Sequence, residues 1–258
     1  LMLPFKFLIC SRPEPRIRNV FGQQSFRTIV TRCDLGEAFE SGKDIAKYLR
    51  ERFEKIRREH GCTMAHVPQE WPGEGIVQLL VQRACGQFVY ATTVLKYIGD
   101  YLDLPTERLE IILNITVPED YDSPYPDLDL LYLQILSASK QKELLLEVLA
   151  HLLRPGPDIF LNHQYEQTSS RCIEGLFFLA KGKVRTQFFG LHSVLNIPDN
   201  DDDNITVRHA SFVDFLYDKK RSGRYYVSKS QEARHEQIAF YLLKRISSSI
   251  KGHQHLNS

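Results

Sequence analysis

The chain is short of the features that would place it outside a cell or in a membrane. Its five cysteines, Cys10, Cys33, Cys62, Cys85 and Cys172, are odd in number and form no CxxC pair. That excludes a disulfide-framed scaffold and fits a reducing compartment. No apolar run approaches the length of a membrane span. Leu1 to Cys10 lacks the makings of a signal peptide, because Pro4 and Lys6 interrupt it, no basic segment precedes it and no small-residue cleavage site follows. The sequons at Asn114-Ile115-Thr116 and Asn204-Ile205-Thr206 then carry no meaning for glycosylation. An excess of one charge is missing as well: 33 Lys and Arg stand against 32 Asp and Glu, a net charge of +1. No whole-molecule field exists to draw in nucleic acid or anionic lipid, so a charged ligand must be met by a local site. Absent too are GxSxG, HExxH, the GxxxxGK[ST] phosphate loop and an apolar strand ending in paired acidic residues. His60, Cys62 and His66 are followed by no second pair of ligands, which counts against a structural zinc. The expectations are a cytoplasmic location, no membrane contact and no metal site.

What is present is an ordinary globular composition, with 43% hydrophobic and 25% charged residues in 258, enough for one large domain or two smaller ones. Phe7 to Cys10 is a short continuous apolar run closed by Ser11, Arg12 and Pro13. Uninterrupted apolar character suits a strand covered on both faces, and ligands of open α/β sheets sit beyond the carboxyl ends of such strands. Ser11 and Arg12 would lie on that edge, with the arginine suited to a phosphate. Pro15 to Phe21 has helical spacing, and Phe26 to Leu35 reads as a second strand centred on Ile29 and Val30, half of a βαβ alternation.

From Ser41 the pattern turns helical. Ile45, Tyr48, Leu49, Phe53 and Ile56 trace one face of a helix whose other side is basic, with Glu51, Glu54 and Glu59 interspersed. A helical segment opens at Glu70-Trp71-Pro72, divides at Gly86 and resumes through Ile98; a short helix follows from Leu104 to Leu113. Pro118 to Pro126 is a linker rich in Pro, Asp and Tyr and marks a domain boundary. Beyond it, Asp127 caps a helix, a second ends at Arg154-Pro155-Gly156-Pro157, a third starts at Ser169 or Ser170, and a fourth spans Lys183 to Leu191. Val194 to Pro198 and Ile205 to Arg208 flank the acidic loop Asp199 to Asp203 as a β-hairpin. Three or four helices ending in a helix pair and then a β-hairpin follow the order of a winged helix, and from His209 to Tyr217 the spacing is helical again. Tyr225 to Val227 reads as a strand, and Ser230 to Ile246 as an amphipathic helix with Ile238, Tyr241, Leu242 and Ile246 on one face.

Six phrases carry a resemblance: FLICSRPE, RCDLGEAFESGKDIAKYLRERF, EWPGEGIVQLLVQRACGQFVYATTVLKYI, RLEIIL, LDLLYLQIL and VRHASFVDFLYDKKRSGRYYV. Together the set resembles the fungal NACHT-type signal-transduction NTPases, grouped with nephrocystin-like N-terminal domains, over nearly the whole chain. The resemblance implies a mainly α architecture: the remnant of a P-loop α/β sheet at 1–36, a helical lid domain at 37–117, a winged-helix domain at 118–229 and the start of a helical region at 230–258. It implies that Arg12, beside Ser11, is the sensor arginine facing a terminal phosphate, and that His209 is the winged-helix histidine reaching the β-phosphate of ADP. An imidazole at the start of a helix can donate to an anion that the helix dipole also favours. Gly86 and Phe88 stand where relatives carry a Gly-x-Pro facing adenine, with Phe88 in place of the proline; Ala210 stands where the related plant motif has aspartate.

The implied function is a nucleotide-dependent switch that binds ADP or ATP with Mg²⁺ in a longer parent, where self-oligomerisation follows exchange. Without a phosphate loop, this chain alone is expected to be a fragment that neither holds a nucleotide nor hydrolyses one, its partner being the N-terminal half of the core. The alternatives are a ligand-independent helical and winged-helix interaction scaffold, and a DNA-binding winged helix using Lys219, Lys220, Arg221 and Arg224. The neutral net charge and the acidic loop at the wing count against nucleic acid.

Overall fold

The computed structural model describes residues 6–10, 15–26, 28–32, 41–101, 103–139, 141–153, 168–228 and scattered positions between 230 and 247. Among these the chain is mainly helical, with eleven α-helices and one two-stranded antiparallel sheet. It divides into two units, Leu1–Glu40 and Ser41–Ser258. No described helix is long and apolar enough to cross a membrane.

The first unit holds α1 (Pro15–Phe21), which ends where the Gly22 amide donates to the Arg18 carbonyl at 2.8 Å. The Phe21 and Phe26 rings meet at 5.3 Å. The strands expected here are not formed among the described residues. Residues 6–10 are irregular, with Phe7, Leu8 and Ile9 exposed at 80%, 92% and 63%. At the expected second strand, the Ile29 and Val30 amides both turn back to the Phe26 carbonyl. The reason is that strands exist by pairing: an apolar run becomes one only where another strand supplies donors and acceptors and layers cover its faces.

The second unit is built on one continuous core running from Ile45 to Val227. In α2 (Ser41–Glu59) the residues Ile45, Leu49, Phe53 and Ile56 recur every three or four positions, so they share one stripe and all are buried. Helices α3 (Glu74–Ala84) and α4 (Phe88–Ile98) pack on α2, and α5 (Pro105–Leu113) packs on α4. The helix expected from Glu70 starts only at Glu74, because Gly73 sits at φ 87° as its N-cap, and Trp71 instead lays its ring edge-on against Phe53 at 5.2 Å. Proline at the first position opens both α5 and α6 (Pro126–Ser137), where its missing N–H costs nothing; Asp127 therefore lies in the first turn of α6 instead of capping it.

The compact unit continues across residues 118–126, and α6 packs on α3 and α4. Arg83 on α3 makes the join: its guanidinium donates to the Ile112 and Leu113 carbonyls at 2.8 and 3.1 Å, and Nε lies 3.7 Å from the Asp127 carboxylate. Helices α7 (Lys142–Leu152), α8 (Ser170–Leu176) and α9 (Lys183–Phe188, extended by a 3-10 turn to Leu191) follow. Ser169 caps α8 by accepting from the Cys172 amide. The hairpin forms as β1 (Leu195–Asn196) and β2 (Thr206–Val207), with Leu195 opposite Val207 and a bridge from Ser169 to Asn204. Then come α10 (Ala210–Leu216) and α11 (Lys219–Ser222).

The strand expected at Tyr225–Val227 is not formed. Asp218 caps α11, a 3-10 turn follows at Gly223–Tyr225, and the chain folds back so that the Val227 amide donates to the Leu216 carbonyl at 2.8 Å. Past residue 230 the described positions are helical. Ile238, Tyr241, Leu242 and Ile246 lie outside the described residues, while Phe240 and Leu243 are exposed.

Candidate functional site

His209 stands at the junction of β2 and α10 in extended conformation, φ −147° and ψ 137°, which is what an N-cap requires. Its Nδ1 accepts from the Ser211 amide at 3.1 Å and lies 2.7 Å from the Ser211 hydroxyl. That hydroxyl is 2.8 Å from the Tyr132 phenol on α6. Tyr132 is buried against Phe212 and Phe215, ring centroids 5.0 and 5.3 Å away, the three rings forming one cluster. Burial pushes its hydroxyl up to about 12, so it stays protonated at neutral pH. An exposed imidazole is thereby tied, through one serine, to the core.

The residue before it is equally fixed. The Arg208 Nε donates to the carbonyls of His192 and Leu195 at 2.7 and 2.9 Å, tying the end of β2 to β1 and to the turn before it. Burial lowers the affinity of Arg208 for its proton and does the same for His192. On α4, burial first, then the charges of Arg208 and Arg52, lower that of Lys96.

Ser11 and Arg12 lie outside the described residues. Gly86 occupies the α3–α4 turn at φ 76°, beside Cys85 at φ 46°, and a Cβ on Gly86 would stand 3.2 Å from the Ser41 hydroxyl. Only glycine suits that combination of angle and space. Phe88 is 42% exposed at the first position of α4, with its ring 6.0 Å from that of Tyr48. The structure thus joins Gly86 and Phe88 to Ser41 and Tyr48 on α2, and joins His209 to Ser211 and Tyr132.

Other groups are committed to holding the fold. The basic set Lys219, Lys220, Arg221 and Arg224 is divided: Arg221 binds the fully buried Asp129 through Nε at 2.9 Å and Nη2 at 2.5 Å, and Arg224 lies over the Tyr225 ring at 4.9 Å. The acidic loop is held by its own cations, Arg185 on Asp201 at 2.8 Å and Arg171 on Asp202 at 3.1 Å. His60 stacks on Tyr101 at 5.0 Å, and no group of three or more His, Cys, Asp and Glu among the described residues converges as a metal site would require. A hollow of about 330 Å³ lies between α2 and the turn before α3, beside Trp71. Its arginines are engaged, Arg50 by both oxygens of Glu74 at 3.0 and 2.6 Å and Arg57 by the Pro68 carbonyl.

Tyr132 and Ser211 were missed by sequence reasoning. A tyrosine within an apolar stripe reads as core, and its partner lies 79 residues away. The legible signal was the local one: a serine two places after a histidine at a helix start, the spacing at which a cap bonds the backbone. Compared with protein-family models, with curated proteins and with solved structures, the chain matches none.

Proposed function

We propose that the chain is the lid and winged-helix part of a nucleotide-dependent signalling switch of the NACHT type, with residues 1–36 as the end of its α/β core, 37–117 as the lid, 118–229 as the winged helix and 230–258 as the start of a further helical region. The observation that carries this reading is the order α8, α9, hairpin, α10, with His209 at the turn from hairpin to helix. In this reading His209 contacts the β-phosphate of ADP in the closed form, and Arg12 with Ser11 meets the phosphate from the core side. Gly86 and Phe88 line the adenine end. A ligand shifts a two-state equilibrium only by contacting the states differently, and a winged-helix histidine supplies such a difference.

The donor chemistry fits one phosphate end and not a whole nucleotide. Two charge-assisted contacts contribute about 1.5–3 kcal/mol each, against an association cost of roughly 4–15 kcal/mol. The chain by itself therefore neither retains ADP or ATP nor hydrolyses it. In the parent, the phosphate loop and a magnesium ion of the N-terminal half would supply the remainder, and exchange would free the winged helix to self-associate in the cytoplasm. The test begins with the genomic sequence ahead of the Leu1 codon: an in-frame phosphate loop is expected. His209→Ala in that longer product should then release ADP and raise activity without a signal; unchanged ADP occupancy would overturn the role.

One observation favours a second reading, a ligand-independent scaffold. The core runs unbroken from Ile45 to Val227 across residues 118–126, as a rigid interaction module would require. Small-angle scattering of the parent with and without ADP separates the two readings, since a scaffold keeps one profile. A DNA-binding winged helix ranks below both, because Arg221 is bound to Asp129 and the wing loop is acidic.

A further inference from the structure

We propose that Arg52, Lys96 and Arg208 form a binding site for a small phosphate-type oxyanion where the α2–α4 body meets the hairpin. The site uses neither His209 nor the start of α10, and it stands apart from the nucleotide reading.

Two rows of side chains bring the first two cations together. Tyr48, Arg52 and Ile56 are four residues apart on α2, with His60 next in the row; Phe88, Thr92 and Lys96 are four apart on α4, with Gly99 at its C-cap. The rows meet at both ends. The Tyr48 ring is 6.0 Å from that of Phe88, a Cβ on Gly99 would stand 3.1 Å from Ile56 Cγ1, and His60 Nε2 lies 3.4 Å from the Gly99 carbonyl. Arg52 and Lys96 are held side by side between those contacts. Arg208 comes from the hairpin: its Nε is occupied by the His192 and Leu195 carbonyls, which orients the guanidinium and leaves the Nη edge as its available donors. After burial, the charges of Arg208 and Arg52 are what lower the hold of Lys96 on its proton.

Like charges held close together raise the energy of the fold unless a counter-ion joins them. Among the described residues no carboxylate pairs with any of the three; Asp100 is held by Arg108 at 3.6 Å and Asp199 by Arg185 at 3.8 Å. Arg52 Nε is shielded from water and has no acceptor among the described residues. A buried N–H in that condition is costly, and an oxyanion placed among the three cations would remove both costs at once. Two planar guanidinium groups and a rotatable ammonium suit the several oxygens and double charge of a phosphate. Three charge-assisted contacts, set against the cost of association, put the affinity at roughly millimolar, the range of a free phosphate group and not of a retained nucleotide.

The experiment titrates the 258-residue chain with inorganic phosphate and with glycerol phosphate at fixed ionic strength, with sodium chloride as reference, and follows ¹H–¹⁵N spectra and thermal melts. Expected are shifts centred on Arg52, Lys96 and Arg208, and a rise in melting temperature that chloride does not give. Lys96→Gln should weaken the response about tenfold or more, the worth of one charge-assisted contact. The same variant should melt higher than the wild type when phosphate is absent, since it removes one of the crowded like charges. Arg52→Gln should act in the same way, and Lys47→Gln, which removes the same charge from a different face of α2, should do neither. A response to inorganic phosphate alone supports a site for the free ion, and an equal response to glycerol phosphate supports one for an ester-borne group. No shift at these residues, or an equal loss in Lys47→Gln, reduces the effect to diffuse attraction and overturns the site. A Lys96→Gln chain that melts lower without phosphate overturns the charge argument. Shifts centred on His209 and unaltered by Lys96→Gln also overturn this site, while leaving the nucleotide reading intact.

Discussion

Residues 6–32 and residues 41–227 have apolar runs of similar strength and opposite fates. Leu49, Phe53, Val94 and Phe215 are essentially inaccessible, while Leu8 and Ile29 are 92% and 75% exposed. Helical periodicity carries its own solution, because each amphipathic stripe meets another within the same stretch of chain. A continuous apolar run states a requirement that only neighbouring strands and covering layers can meet. Hydrophobic pattern therefore specifies what a segment needs; whether the need is met is a separate property, and here it divides the molecule at Ser41.

The contrast can be broken most forcefully in the second unit. Phe215→Ala removes a fully buried ring and should cost about 3–5 kcal/mol in chemical denaturation. Asp129→Ala should cost about 3 kcal/mol, because it strands Arg221 beside a buried hole, whereas replacing both residues by apolar ones should recover most of the loss. An intermediate effect comes from pH. Burial holds His192 below its ordinary 6.5, so the folded state binds fewer protons than the unfolded one in the window beneath that value. Stability should be fully present above it, fall as pH drops through it, and lose that slope in His192→Gln, as thermal melts between about pH 8 and pH 5.5 would show. At the small end, Phe7→Ala should change stability by less than about 0.5 kcal/mol. Hydrogen exchange should find residues 6–10 unprotected beside a slowly exchanging α4; strong protection there would erase the contrast.

Helices α2 and α4 to α7 were legible because their apolar residues repeat at the helical period, and the hairpin because two short runs flank Asp199 to Asp203. The strands read at Phe7 and Ile29 were not legible as failures, since strand pairing depends on segments that are not local. Tyr225 to Val227 has strand-like residues but obeys the cap at Asp218 and the return to Leu216. At the candidate site, His209 and Gly86 could be singled out in advance. The contact behind His209, from Ser211 to Tyr132, could not, because it depends on α6 reaching α10.

The Arg83 fork bears on how the molecule would carry load. The last carbonyls of a helix are ordinarily its weak end, open to water and first to fray. In α5 the carbonyls of Ile112 and Leu113 are gripped by a side chain from α3. Tension along residues 114–125 is consequently passed into α3 as shear across two hydrogen bonds instead of peeling α5 one turn at a time. A pull on the connection between the two helical groups is borne by the α2–α4 body, and the fork makes that connection a strut.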